Sequence, residues 1–266
     1  MPETTFSIQF IPALVISTLA RAFGASASTA FIVLAGAAGL LASLSVFWLL
    51  ASVTRDSKFA AVGVLVVLCC GALAGGEGLV GVLLNHTRSF FLPFLRRYQP
   101  AAVFPLFFVF CTLIWRALTL ESKRRARLES TLAGLTLGVL VFSYLYLWTA
   151  AAAWLVCLAL LWTYLRPATG RRHSLEIFTI TGAIPILALV PYAYLVSHRA
   201  ASLDDAQTLF LTHRPDLFRT PELIGGFILV LLIIGVKRGK VEQSEPRVVF
   251  AASLRCFPLL FLINNS

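Results

Sequence analysis

Two polar stretches interrupt an otherwise apolar chain, and they hold most of the side chains able to bind an anion or move a proton. Residues 85–100 read NHTRSFFLPFLRRYQP and mix Arg88, Arg96 and Arg97 with Phe90, Phe91, Phe94 and Tyr98. Residues 197–222 hold His198, Arg199, Asp204, Asp205, His213, Arg214, Asp216, Arg219 and Glu222. A guanidinium grips a phosphate through paired N–H bonds, so Arg88, Arg96, Arg97, Arg214 and Arg219 are candidate phosphate ligands. The plainer account of the first stretch is headgroup contact, with the aromatic rings as interfacial anchors. Carboxylates can take a proton from a hydroxyl or hold a divalent cation, which makes Asp204, Asp205 and Asp216 candidate bases or cation ligands. An adjacent Asp pair serves equally as a helix cap in a solvated loop. His198 and His213 have no partner at metal-ligand spacing and read as surface residues.

Glu77 stands alone in the glycine-rich run GALAGGEG. An ionisable group deep in a bilayer costs about 2.5–3.5 kcal/mol and marks function by default. Glu77 is also close to Asn85, where a re-entrant or interfacial position makes that cost small. Arg116 lies near the end of an apolar run and can snorkel, so it draws no role. Arg255 sits awkwardly inside one. The five cysteines (Cys69, Cys70, Cys111, Cys157 and Cys256) all lie in apolar runs without a CxxC pair, and read as small buried hydrophobes. Asn85-His86-Thr87 fits a glycosylation sequon, a pattern frequent by chance.

The element that orients these stretches is the run from Leu128 to Arg166. It has no charge between Glu129 and Arg166. Lys123, Arg124, Arg125 and Arg127 precede it, and Arg166, Arg171 and Arg172 follow. One bilayer crossing takes about 20 apolar residues, and this run holds nearly two crossings. Basic ends favour the cytoplasmic side, so the chain is expected to go out and return, turning on the aromatic cluster Ser143–Thr149. One long tilted helix is the alternative.

Spans are expected near 6–19, 29–54, 59–84, 101–120, 130–147, 149–165, 175–196, 223–236 and 248–264, the first and last being marginal. Pro185 and Pro191 should kink the span 175–196. The loops near 55–58, 121–128, 166–173 and 237–247 then share a side with thirteen basic residues: Arg55, Lys58, Lys123, Arg124, Arg125, Arg127, Arg166, Arg171, Arg172, Lys237, Arg238, Lys240 and Arg247. The opposite side holds seven: Arg21, Arg88, Arg96, Arg97, Arg199, Arg214 and Arg219. The first group is read as cytoplasmic.

The whole chain, 1–266, therefore reads as a single transmembrane domain: an all-α, polytopic integral membrane bundle of about seven to eight segments. Its composition agrees, with 59% hydrophobic and 13% charged residues and a mean hydropathy of +0.87. The apolar runs are continuous rather than alternating, which excludes a lipid-facing β-barrel. The net charge of +10 follows from the basic loops, so no nucleic-acid partner is inferred. The start, MPETTFSIQF, lacks the positive region of a cleavable signal peptide.

Arg97-Tyr98-Gln99-Pro100 leads into a Phe-rich span. A basic loop follows, then a span with Ala133-Gly134 and Gly138, then the turn with Tyr144, Tyr146 and Trp148. Over roughly residues 30–260 this resembles bacterial multi-span glycosyltransferases of the broad GT-C class, which depend on polyprenyl-phosphate-linked sugars. The resemblance implies an all-helical fold in the bacterial inner (plasma) membrane, part of the cell envelope. It also implies a polyprenyl-phosphate-linked sugar as donor partner, with transfer on the non-cytoplasmic face. The class carries an essential acidic residue in its first large outer loop. Here no Asp or Glu lies between Glu3 and Asp56, so no catalytic residue is transferred. That gap and the abrupt final run FPLLFLINNS lead to the expectation of an incomplete member. Two other readings stay open. A transporter or flippase would use Glu77, Pro185, Pro191 and the glycine-rich segment 71–81; a non-catalytic membrane subunit would need none of them.

Overall fold

The computed structural model describes residues 9–69, 95, 98–165, 170–198, 230–231, 233–235, 237–238 and 245–263. Eight helices are delimited among them: α1 (Ile11–Ala22), α2 (Ala27–Thr54), α3 (Ser57–Cys69), α4 (Tyr98–Thr119), α5 (Lys123–Val141), α6 (Leu145–Leu165), α7 (Arg171–Ser197) and α8 (Pro246–Ile263). Helices suit this composition because each backbone donor and acceptor is satisfied within its own segment, as a bilayer interior requires. Four of them, α2, α4, α6 and α7, are long and apolar enough to cross a membrane. The described residues form helices and the turns between them, without a strand, and the four long apolar helices mark a membrane protein. The expected count of seven to eight spans is not supported; four described helices qualify.

Local sequence explains where the helices start and stop. Ser26 caps α2, its hydroxyl accepting from the Thr29 N–H at 3.2 Å. Arg55 ends α2 in the left-handed region at φ 59°. The Asp56 carboxylate then accepts from the N–H groups of Lys58 at 2.8 Å and Phe59 at 3.1 Å, which opens α3. The long run from Leu128 breaks at Phe142–Tyr144, slightly earlier and more tightly than expected; Tyr146, Trp148 and Thr149 already belong to α6.

α5 differs from the span expected at 130–147. It begins at Lys123 and ends at Val141, and four of its first five residues are basic. Its 19 residues extend about 28 Å at 1.5 Å per residue, close to a hydrocarbon core about 30 Å thick, so α5 can join the two ends of the bundle although its charged start keeps it out of the four. α4 starts at Tyr98, so the tail of the expected polar stretch 85–100 is already helical. Helix α7 runs unbroken through Pro185 and Pro191.

Contacts fix the directions. Phe31 meets Tyr98 with ring centroids 6.2 Å apart, and the Trp115 indole N–H donates to the Ser52 carbonyl at 3.0 Å, so α2 and α4 run parallel. The three-residue turn Leu120–Ser122 returns the chain, and Arg116 on α4 pairs with Glu129 on α5. α5 and α7 are parallel: Arg127 meets Glu176, and the Thr181 hydroxyl donates to the Ser130 carbonyl at 3.3 Å. α6 is antiparallel to α7, with Trp162 bonded to Ser174 at 3.1 Å and Trp148 against Tyr192 at 5.8 Å.

α4 is buried on nearly every side, its Phe107, Phe108, Phe110, Ile114 and Trp115 forming the centre of the bundle. A helix apolar all round belongs there. Trp154 of α6 is 0% exposed. It lies edge-on to Phe110 and Phe250, and its N–H donates to the Ser253 hydroxyl at 3.0 Å. Large apolar side chains of α2 and α7, such as Ile32, Leu40, Ile186, Leu187 and Val190, face outward, as lipid contact requires. Cys111 and Cys157 are buried.

Candidate functional site

The helix directions bring the described functional groups to two opposite ends. One end gathers the close of α2 and α4 and the starts of α3, α5 and α7. Here Arg116 reaches the Glu129 carboxylate at 2.6 Å and stacks over the Trp48 ring at 5.8 Å. A cation over an indole, paired to a carboxylate, ties α2, α4 and α5 into one unit. Beside it, Arg127 pairs with Glu176 at 2.6 Å, and His173 Nδ1 lies 3.9 Å from the other Glu176 oxygen. Both His173 ring nitrogens are buried without a hydrogen bond. Arg171 donates to the Thr163 carbonyl at 2.9 Å, closing the end of α6. Lys123, Arg124, Arg125 and Arg172 are exposed around this core.

The other end is aromatic. Phe142 at the α5–α6 turn packs on Phe10 at 5.8 Å and Tyr192 at 6.2 Å. Tyr192 meets Trp148, and Tyr144 meets Tyr146 at 5.6 Å. The Ile11 N–H donates to the Phe142 carbonyl at 3.3 Å, drawing α1 onto the same end. The Trp148 indole N–H is buried without a hydrogen bond. Among the described residues placed at this end, Arg21 is the one formal charge. Rings with a wet edge and an apolar face suit a membrane–water boundary.

The candidate residues named from sequence divide sharply. Glu77, Arg88, Arg96, Arg97, Asp204, Asp205, Asp216, Arg214 and Arg219 lie outside the described residues, as do His213 and Asn85. Their attachment points do not. Tyr98 begins α4 and His198 follows α7. Since α4 is antiparallel to α5 and α5 parallel to α7, both points fall at the aromatic end. His198 itself sits on Tyr194, with ring centroids 4.2 Å apart and its Nδ1 2.9 Å from the Tyr194 carbonyl oxygen. Among the described residues, no group of three or more His, Cys, Asp or Glu is placed to hold a metal ion; the three aspartates considered for a divalent cation are not among them.

Sequence reasoning gave Arg116 no role, and the structure gives it two partners. It also overlooked the Arg127–Glu176–His173 group. The available signal was that Glu129 and Glu176 stand alone within otherwise basic helix starts. Compared with known proteins, the chain matches no family model, no curated protein and no solved structure.

Proposed function

We propose that this chain acts as a GT-C-like membrane glycosyltransferase, moving a sugar from a polyprenyl-phosphate donor on the non-cytoplasmic face. The observation that carries the reading is the common origin of two segments. Tyr98 and His198, where the arginine- and aspartate-bearing stretches join the bundle, lie at one end, opposite the basic starts of α5 and α7. Arg88, Arg96, Arg97, Arg214 and Arg219 would hold the donor phosphate, and Asp204, Asp205 or Asp216 would take the acceptor proton. The aromatic shell at that end supports the reading, since it suits the headgroup level where a lipid-linked phosphate resides. The full count of seven to eight spans and the bacterial inner membrane belong to the same proposal.

Native mass spectrometry of the detergent-purified chain with added polyprenyl phosphate tests it. The wild type should retain the lipid, and the Arg96→Ala/Arg97→Ala variant should lose it. No retention by the wild type, or equal retention by both, overturns the donor-lipid role.

A further inference from the structure

The basic end carries charge that the bundle does not neutralise. Its acidic residues are largely engaged: Glu129 with Arg116, Glu176 with Arg127, and Asp56 with the backbone of α3. Glu121 is exposed at the α4–α5 turn. Lys123, Arg124 and Arg125 on the first turn of α5 and Arg172 on the first turn of α7 remain exposed. The side chains of Arg124, Arg125 and Arg172, all exposed, make no hydrogen bond or ion pair with a described residue.

These cations share a level because α5 and α7 are parallel and packed closely. A Cβ added at Gly134 would lie 2.8 Å from Ile184 Cδ1 and 3.0 Å from the Thr181 carbonyl oxygen. No acidic residue stands in the first turn of either helix. Cations at helix starts oppose the helix dipole, so an external anion is favoured twice over.

The surface beneath the cations identifies the anion's carrier. Leu128, Leu132 and Leu135 continue along α5 as an exposed apolar stripe, and Leu175 is exposed one turn into α7. An RNA or an acidic protein would match the charge and leave that stripe unmatched. A phospholipid matches both, with its phosphate at the arginines and its acyl chains along the leucines.

We propose that the paired starts of α5 and α7 form a binding surface for anionic phospholipid, with Arg124, Arg125 and Arg172 as the headgroup contacts. It lies at the end opposite the proposed donor site and stands or falls independently of it.

The test is native mass spectrometry of the full chain released from nanodiscs of equal phosphatidylglycerol and phosphatidylcholine. The wild type should carry phosphatidylglycerol in excess, by about fivefold for each cation engaged. Arg124→Gln/Arg125→Gln/Arg172→Gln should bring the ratio close to that of the disc, while Arg124→Lys/Arg125→Lys/Arg172→Lys should keep most of the excess. Raising salt from about 0.05 M to about 0.5 M should reduce the wild-type excess; this arm holds even if the glutamine variant does not fold. No wild-type excess, an excess unchanged by salt, or an excess kept in a folded glutamine variant overturns the proposal. So does retention of a single-stranded RNA by the purified chain without any phosphatidylglycerol excess.

Discussion

Arg116 shows how a charge near the end of an apolar helix is kept. Snorkelling to water is one solution, yet here the guanidinium turns to Glu129 and lies over Trp48. Glu129 is the more enclosed partner, its side chain 13% exposed against 41% for Arg116. Replacing Glu129 with Gln should therefore destabilise the bundle by about 1 kcal/mol, because a partly solvated ion pair yields less than a buried one. Thermal unfolding in detergent measures this. A double-mutant cycle with Arg116→Gln should return most of the loss as coupling; simple additivity would show that the pair is incidental. Trp154 offers a second case. Trp154→Phe keeps much of the ring contact and loses the N–H bond to Ser253, at a cost of about 1 kcal/mol; the Ser253 hydroxyl still donates to the Phe250 carbonyl. An unchanged unfolding temperature would contradict that bond's contribution. Neither partnership could be read from spacing, since Arg116 and Trp154 meet their partners only through helix packing.

At the scale of elements, the parallel pair α5 and α7 is the least obvious product of the sequence. Ser130, Gly134 and Gly138 give α5 a narrow face, and Pro185 on α7 removes the N–H that would otherwise bond the Thr181 carbonyl. That freed carbonyl, with the Ile184 side chain, is what an added Cβ at Gly134 would meet. Gly134→Ala should cost about 1–3 kcal/mol, because the backbone oxygen in its way cannot move aside. Gly36→Ala on α2 is the matched control: nothing lies within 4 Å of an added Cβ there, so it should be neutral or slightly stabilising. Equal losses for the two would contradict the close approach. At the α2–α3 turn, Asp56→Ala should cost about 1 kcal/mol by uncapping α3, read again as a lowered unfolding temperature. The helical character of nearly every element was legible in the continuous apolar runs, and so was a break in the run after Leu128. Tyr144, Tyr146 and Trp148 pointed to that turn, though Phe142, which the sequence hides in an apolar stretch, is its packing centre. The length of α5 was misjudged because apolar content continues across the turn and masks the stop at Val141. For the polar cluster around Glu176 the lone acid among basic residues was a signal, but two basic helix starts far apart in sequence show no sign that they will run side by side.

For the molecule as a whole, the charge is sorted by end. The closes of α2 and α4 and the starts of α3, α5 and α7 carry Arg55, Lys58, Arg116, Lys123, Arg124, Arg125, Arg127, Arg171 and Arg172. The opposite end is built from Phe10, Phe142, Tyr144, Tyr146, Trp148 and Tyr192. Such sorting is what orients a helical protein in a bilayer, with the basic end held in the cytoplasm. The donor-site proposal depends on these ends facing opposite compartments. Labelling with a membrane-impermeant maleimide in sealed vesicles tests this directly, using a background in which the native cysteines are replaced by serine. Ser122→Cys reports the α4–α5 turn and Ser197→Cys the close of α7, both exposed positions. The account predicts that Ser122→Cys is labelled only in inside-out vesicles and Ser197→Cys only in right-side-out ones. Labelling of both from the same side would contradict the two-ended arrangement.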